Sequence, residues 1–342
     1  MASAEHPPST ERMSRFGGPL ARHARTALGV IVSIVALAAV GWWIAQQPAP
    51  DLPDSAAGLT WFALAVATAL STMVLRGLRW SRIMALADID HRRADAFALT
   101  FTGQMGNTVL PARGGDVMRI ALLGARSSSR RREILGSLVA ERALDALVLA
   151  ALFAGLSLGL ADSPVGPGLS VLIVATLAIG FAALAGYLWL RRAGRFERFA
   201  ALIRPVARAS RLFAHPSGVA LVGLTLVIWT IDGMALLMLA RSIGVAVGPL
   251  DAVLVLVIAS LAAAIPAAPG FAGTFDAAMI LGLKSAGVVG GAAVGVLLLV
   301  RFVFFLPATL VGLILLVARY GGFRRALRTP PAPVAHAPRA LR

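Results

Sequence analysis

The sequence predicts an all-α polytopic membrane protein, with about six transmembrane spans plus two re-entrant helical hairpins arranged as an inverted repeat. Three observations carry this reading. Hydrophobic residues fill 58% of the 342 positions and only 14% are charged, with a mean hydropathy of +0.82, far from the balance of a soluble domain. The formal charge of +16 is almost wholly arginine, since Lys284 is the sole lysine, and those arginines gather in short loops beside apolar runs, the positive-inside pattern. Apolar stretches are interrupted twice, at 107–123 and 264–283, by proline, glycine and aspartate. A basic chain also suggests nucleic acid, but charge confined to the edges of apolar runs assigns it to the membrane, and no nucleic-acid partner is expected.

Taken in order, the apolar runs give spans at 27–45, 57–75, 136–160, 168–190, 218–240 and 287–318. Arg12, Arg15, Arg22 and Arg25 precede the first, which is long enough to span and lacks a small-x-small cleavage site. It reads as an uncleaved anchor with residues 1–26 in the cytoplasm. The connector "QQPAPDLPDSAAG" has acids and no bases, so it is outside; "RGLRWSRIMALADIDHRRAD" is strongly basic and inside. The apolar segment 94–110 leaves from that inner connector, and Arg113, Arg119, Arg126, Arg130, Arg131 and Arg132 follow it. Both flanks are cytoplasmic by charge, so the segment enters and returns on one side. Pro111 and Gly114-Gly115 supply the turn, beside Asn107, because proline removes a donor and glycine accepts positive φ. Non-helical backbone at membrane depth needs protein or a water-filled cavity around it.

The second half repeats the device. "AIPAAPGFAGTFDAAMILGL" brings Pro266, Pro269, Gly270, Gly273 and Asp276 into an apolar run. The loop 191–217 carries seven arginines and is cytoplasmic, so 218–240 exits and the second hairpin opens to the outside. The segment 287–318, one kinked span or two, then returns the chain to a basic, Pro/Ala-rich, disordered tail at 319–342. Asp116 precedes Arg142 by 26 residues, and Asp276 precedes Arg301 by 25. Three spans separate the hairpins, and an odd number turns the second unit over, giving inverted repeats at about 57–160 and 218–318 within a transmembrane domain at 27–318.

Ionisable groups inside these spans carry the functional reading. Glu141, Arg142 and Asp145 lie in one span and Arg301 near the centre of another, each costing about 2.5–3.5 kcal/mol to insert. They either lock helices together as buried pairs or meet a substrate anion. Arg301 has no acid within a helical turn, so its partner is Asp232, Asp276 or a bound anion. A guanidinium suits phosphate because its fork binds two oxygens at once. The candidate headgroup ligands are therefore Arg142 and Arg301, with Arg113, Arg119, Arg76 and Arg79 beside them. Glu141, Asp145, Asp116, Asp276 and Asp232 are their charge partners, and the Pro/Gly turns are the gates. Arg76, Arg79 and Trp80 end a span, which suits either interfacial anchoring or headgroup capture at a cavity mouth. Asp88 and Asp90 form a D-x-D pair, read either as a solvated turn or as the metal site of a nucleotide-sugar transferase. The absence of cysteine excludes disulfides and thiolate chemistry. Scattered histidines make no zinc or general-base constellation and no P-loop or Ser/His/Asp set is visible, so no metal or cofactor is expected.

Five ordered motifs, "RGLRW", "GNTVLPARGGDVMRI", "LVAERALD", "IPAAPGFAGTFDAAM" and "LLLVRF", resemble the lysylphosphatidylglycerol synthase transmembrane region, a flippase-like integral membrane family. The resemblance covers about 27–318 and implies movement of a polar lipid between leaflets of a bacterial cytoplasmic (inner) membrane, with both termini inside. Bifunctional members carry a soluble synthase domain after this region. About two dozen residues follow the last span here, so the expectation is a stand-alone member without synthase activity. The expected partners are membrane lipids and a separate lipid-synthesis enzyme, with a homodimer left open. An integral-membrane glycosyl or lipid transferase, or a non-transporting partner of a synthase, are the alternatives.

Overall fold

The computed structural model describes residues 52–110, 113–159, 216–263 and 269–323. The expected spans 27–45 and 168–190 fall outside them, as do Pro111, Pro266 and nearly all of the tail. Every regular element among the described residues is helical: α1 (Ala56–Leu86), α2 (Arg93–Val109), α3 (Gly114–Gly124), α4 (Arg131–Gly159), α5 (Pro216–Ser242), α6 (Pro249–Ala262), a 3-10 turn (Pro269–Phe271), α7 (Thr274–Ser285) and α8 (Gly290–Tyr320). Among the described residues, three stretches are long and apolar enough to cross a membrane: Ala56–Leu86, Ser217–Ser242 and Gly290–Tyr320. Helix α4 has 29 residues but carries Glu141, Arg142 and Asp145 in its middle.

Local chemistry sets the boundaries. Ser55 caps α1, its hydroxyl accepting from the Gly58 N–H at 3.0 Å. The helix then runs on through "RGLRWSRIMAL" to Leu86, eleven residues past the apolar run at 57–75. Helix α2 ends as Leu110 turns extended (φ −98°, ψ 143°), as a residue before proline must. Helix α6 starts on Pro249, whose missing N–H costs nothing at a first turn. Helix α8 is one continuous element of 31 residues with Pro307 inside it, so 290–318 forms a single helix. It ends at Gly321 in the left-handed region, two residues into the segment read as a tail.

The second four helices follow the first in order, long, short, short, long. They also pack alike. Exchanging α1 with α5, α2 with α6, α3 with α7 and α4 with α8 maps each helix packing onto another: α1–α2 onto α5–α6, α2–α3 onto α6–α7, and α2–α8 onto α6–α4. Helices α1 and α5 pack on each other and run antiparallel, since Thr68 meets Met238 (3.7 Å) while Arg79 meets Thr225 (3.0 Å). The likeness reaches single residues. A Cβ on Gly77 would sit 2.5 Å from the Phe97 ring, and one on Gly233 2.5 Å from Val253 Cγ2. Both residues of the second contact lie 156 positions after those of the first.

Candidate functional site: a charged cavity between two hairpin tips

The tip of the α2–α3 hairpin meets the tip of the α6–α7 hairpin. Arg113 donates from Nη2 to the Ala263 carbonyl at the end of α6 (3.0 Å), with its guanidinium 5.3 Å from the centre of the Phe271 ring. Arg113 is also in the left-handed region (φ 56°, ψ 41°) as the residue before α3, a conformation that costs a non-glycine residue of order 1 kcal/mol. Beside the tips lies a cavity of about 400 Å³. Its polar wall includes Arg76, Arg113, Arg119, Arg142, Glu141 and Asp145, and its apolar wall Trp229, Phe271, Phe275 and Phe305.

Behind that wall the charges are interlocked. Arg79 is fully buried and donates to both Asp145 oxygens (2.6 and 3.2 Å), to Glu141 (3.2 Å) and to Thr225 (3.0 Å). Arg119 takes the other Glu141 oxygen at 2.9 Å and stacks 3.9 Å from the centre of the Trp80 ring. Trp229 donates to Asp145 Oδ1 at 3.1 Å. Arg76 pairs with Asp232 and lies over Trp229. Arg142 reaches Asp116 (3.2 Å) and, more distantly, Asp145 (3.6 Å). Asn107 donates to the same Asp116 oxygen at 3.4 Å. Arg142 is the most exposed of these cations, with 39% of its side chain accessible and its Nε–H without a partner.

The sequence-derived candidates thus separate into groups. Arg76, Arg113, Arg119 and Arg142 converge on the cavity with Asn107, Glu141, Asp145 and Asp232. Arg79 does not line it: the helix end read as interfacial or mouth-forming is packed inside, with Arg79 and Trp80 at 0% exposure. The nearest cations to Glu141 and Asp145 come from other helices, Arg79 of α1 for both and Arg119 of α3 for Glu141, while Arg142 on their own helix reaches Asp145 at 3.6 Å. Arg301 also stands outside the cavity lining. Of the partners left open for it, Asp276 is the one it takes (Nε to Oδ1, 2.7 Å), and it also bonds the Gly270 carbonyl and lies over Phe275 and Phe305. Asp276 in turn accepts from the Gly273 N–H at 2.9 Å. Gly273 (φ 92°) and Gly270 (φ 63°) use the positive φ that only glycine adopts freely, and Pro269 opens the same turn. Gly114 and Gly115 form the first turn of α3. A Cβ on Gly115 would lie 1.8 Å from the Gly103 carbonyl oxygen, so this glycine lets α3 fold onto α2.

Sequence reasoning passed over Thr225 and Trp229, which bond Arg79 and Asp145, and the contact of Asp95 with Arg319 and Tyr320; Trp80, read as part of a span end, instead stacks on Arg119 inside the fold. A signal existed for one pair. Arg76 and Asp232 are 156 residues apart, the same offset as Gly77 and Gly233.

A helical membrane protein with a charge-lined cavity where two helical hairpins meet is the class that this fold and site define. The chain belongs to the family described as the lysylphosphatidylglycerol synthase transmembrane region, whose model matches residues 27–312. It is similar to the glycosyltransferase AglD of Haloferax volcanii, 26% identical over 314 aligned residues that cover 76% of this chain and 48% of that protein. The chain therefore spans about half the length of this curated relative. No solved structure matches it.

Proposed function

We propose that this protein translocates a polar, phosphate-bearing lipid across the bacterial cytoplasmic membrane, holding its headgroup between Arg113 and Arg142. The carrying observation is the state of these two cavity cations. Arg113 contacts a carbonyl and a ring but forms no ion pair among the described residues, and Arg142, though paired with Asp116, is more exposed than Arg76, Arg79 and Arg119. A phosphate entering here meets one guanidinium without a carboxylate and a second that is accessible from the cavity. Arg301 serves in a second way, fixing the tip of the α6–α7 hairpin through Asp276 and Gly270.

In this reading the two hairpins are re-entrant and the units 57–160 and 218–318 are inverted repeats. The matched packing and the antiparallel course of α1 and α5 support it. Residues 1–26 and 319–342 are cytoplasmic, and the lipid comes from a separate synthetic enzyme. The chain has no cysteine, so a single cysteine at the exposed Ser128 tests the topology: labelling from the cytoplasmic side is expected, and labelling from outside makes 94–123 a span.

The experiment on function uses proteoliposomes with fluorescent phosphatidylglycerol. Arg113→Gln and Arg142→Gln should each accumulate and each lose most transport, whereas transport at the native rate by both variants removes the headgroup site. The likeness to a protein named a glycosyltransferase favours a second reading, a lipid-linked sugar transferase using Asp88 and Asp90. Neither aspartate lines the cavity, and Asp90 accepts from the Ser128 hydroxyl at 3.0 Å. Sugar transfer by the purified chain, lost in Asp90→Asn, would establish that reading instead.

A further inference from the structure

The seams α2–α8 and α6–α4 are counterparts, yet they are held differently. Helix α8 packs along α2 far more extensively than α4 packs along α6 over the described residues. At the α2–α8 seam the backbones touch. A Cβ on Gly312 would lie 2.4 Å from the Phe101 carbonyl oxygen and 2.8 Å from Met105 Cβ, and Thr102 donates to the Gly312 carbonyl at 3.4 Å. Charge pins one end of the same seam. Asp95 Oδ1 accepts from Arg319 Nε (2.9 Å) and from the Tyr320 hydroxyl (3.0 Å), with Arg126 3.7 Å away and stacked over the Tyr320 ring.

Over the described residues the counterpart seam shows neither device. Arg142 and Arg301 are each the twelfth residue of their helices, α4 and α8, a shift of 159 (301 minus 142). That shift puts Phe153 on α4 where α8 has Gly312. Phe153 and Leu149 form one apolar cluster with Val253, Val257 and Ile258 of α6, so a layer of side chains stands where the other seam has backbone contact. The shift of 156 takes Asp95 to Asp251, each the third residue of its helix. Asp251 makes no side-chain hydrogen bond or ion pair given among the described residues.

The physical consequence is unequal resistance to parting. Opening α2–α8 strips ion pairs and a backbone contact, which hydrocarbon cannot replace. Opening α4–α6 exchanges leucine, valine and phenylalanine contacts for acyl-chain contacts of the same chemistry. Both seams reach the charged site: Ala146 and Leu149 of α4 with Leu256 and Leu261 of α6, and Gly103 and Gln104 of α2 with Phe305 and Ala308 of α8, line the cavity that holds Arg113 and Arg142. What distinguishes the seams is how firmly each is closed. We propose that the α4–α6 seam is the lateral gate through which the acyl chains of the lipid reach the cavity, and that α2–α8 is its counterpart, held shut in this conformation. The proposal rests on the transport reading above.

The test maps acyl-chain contact directly. The full chain in liposomes containing phosphatidylglycerol with a diazirine on its acyl chain is irradiated, and adducts are located by mass spectrometry. Adducts are expected on Phe153, Val257 and Ile258, all buried in the closed seam, and not on Phe101 or Leu316. Asp95→Asn combined with Gly312→Ala should bring adducts to Phe101 and Leu316. Asp95→Asn alone, isosteric with the native residue, serves where the double variant does not accumulate, and Phe101 unlabelled there overturns the shut counterpart. Equal labelling of both seams in the native chain, or labelling only of outward residues such as Leu147 and Leu313, overturns the gate. Fluorescent-lipid transport is read in parallel. Asymmetric adducts without transport leave the gate standing and sink the transport reading; transport with symmetric adducts does the reverse.

Discussion

In the first four-helix unit Arg79, Arg119 and Arg142 share Asp116, Glu141 and Asp145 in one linked network. In the second, Arg301 and Asp276 stand as a single pair between two phenyl rings. The backbones follow the same plan, so the difference lies in what the plan is used for. One unit concentrates its ionic chemistry on the cavity, and the other spends its single pair on holding a turn. An aspartate near the start of a short helix, bonded to an arginine twelve residues into the next long one, is common to both.

This contrast can be broken most severely at Arg79. Arg79→Leu strands Asp145 and half of Glu141 in a buried site, and should cost about 3–5 kcal/mol. Thermal unfolding in detergent would register it as failure to accumulate or a large fall in midpoint. Arg301→Leu is expected to do less, about 2–3 kcal/mol, because it abandons one carboxylate rather than two. The double variant Arg301→Leu/Asp276→Leu should regain most of that loss. If the single change proves harmless to stability yet abolishes transport, Arg301 belongs with the headgroup ligands after all.

Smaller effects sharpen the likeness of the units. Gly77→Ala and Gly233→Ala press a methyl group against Phe97 and Val253 respectively, and should destabilise by similar amounts, about 1–3 kcal/mol each. A several-fold disparity between them would argue against equivalent packing. Arg113→Gly should raise stability by up to about 1 kcal/mol by releasing the left-handed strain, while fluorescent-lipid transport falls. Opposite signs in the two assays are the signature of a residue held in place for function. The smallest effect belongs to Asp88→Asn, which should leave both stability and transport unchanged.

Much of the fold is legible in the sequence because its devices are local. The two Pro/Gly-rich turns break apolar runs where the chain does reverse between α2 and α3 and between α6 and α7. The Asp-to-Arg spacings of 26 and 25 residues, legible as a mark of repetition, coincide with the ion pairs Asp116–Arg142 and Asp276–Arg301. Arg79 and Trp80 were illegible for a physical reason. Hydropathy registers a guanidinium as a helix end, and only the acids of α4, more than 60 residues away, turn that end into an interior. Arg113 shows the complementary limit. Its place in a Gly-rich turn is visible, but its left-handed backbone and its carbonyl contact to the other hairpin depend on where α6 stops.

Arg76 and Asp232 occupy equivalent places in the two units and bond to each other across the α1–α5 contact. The pairing makes the halves complementary and not interchangeable. A chain built from two copies of the first half would bring arginine against arginine there, and one from two copies of the second would oppose two buried carboxylates. Expressed as separate polypeptides, residues 1–190 and 191–342 should therefore assemble only with each other, and the position at which the two halves differ becomes the address that tells each half its mate.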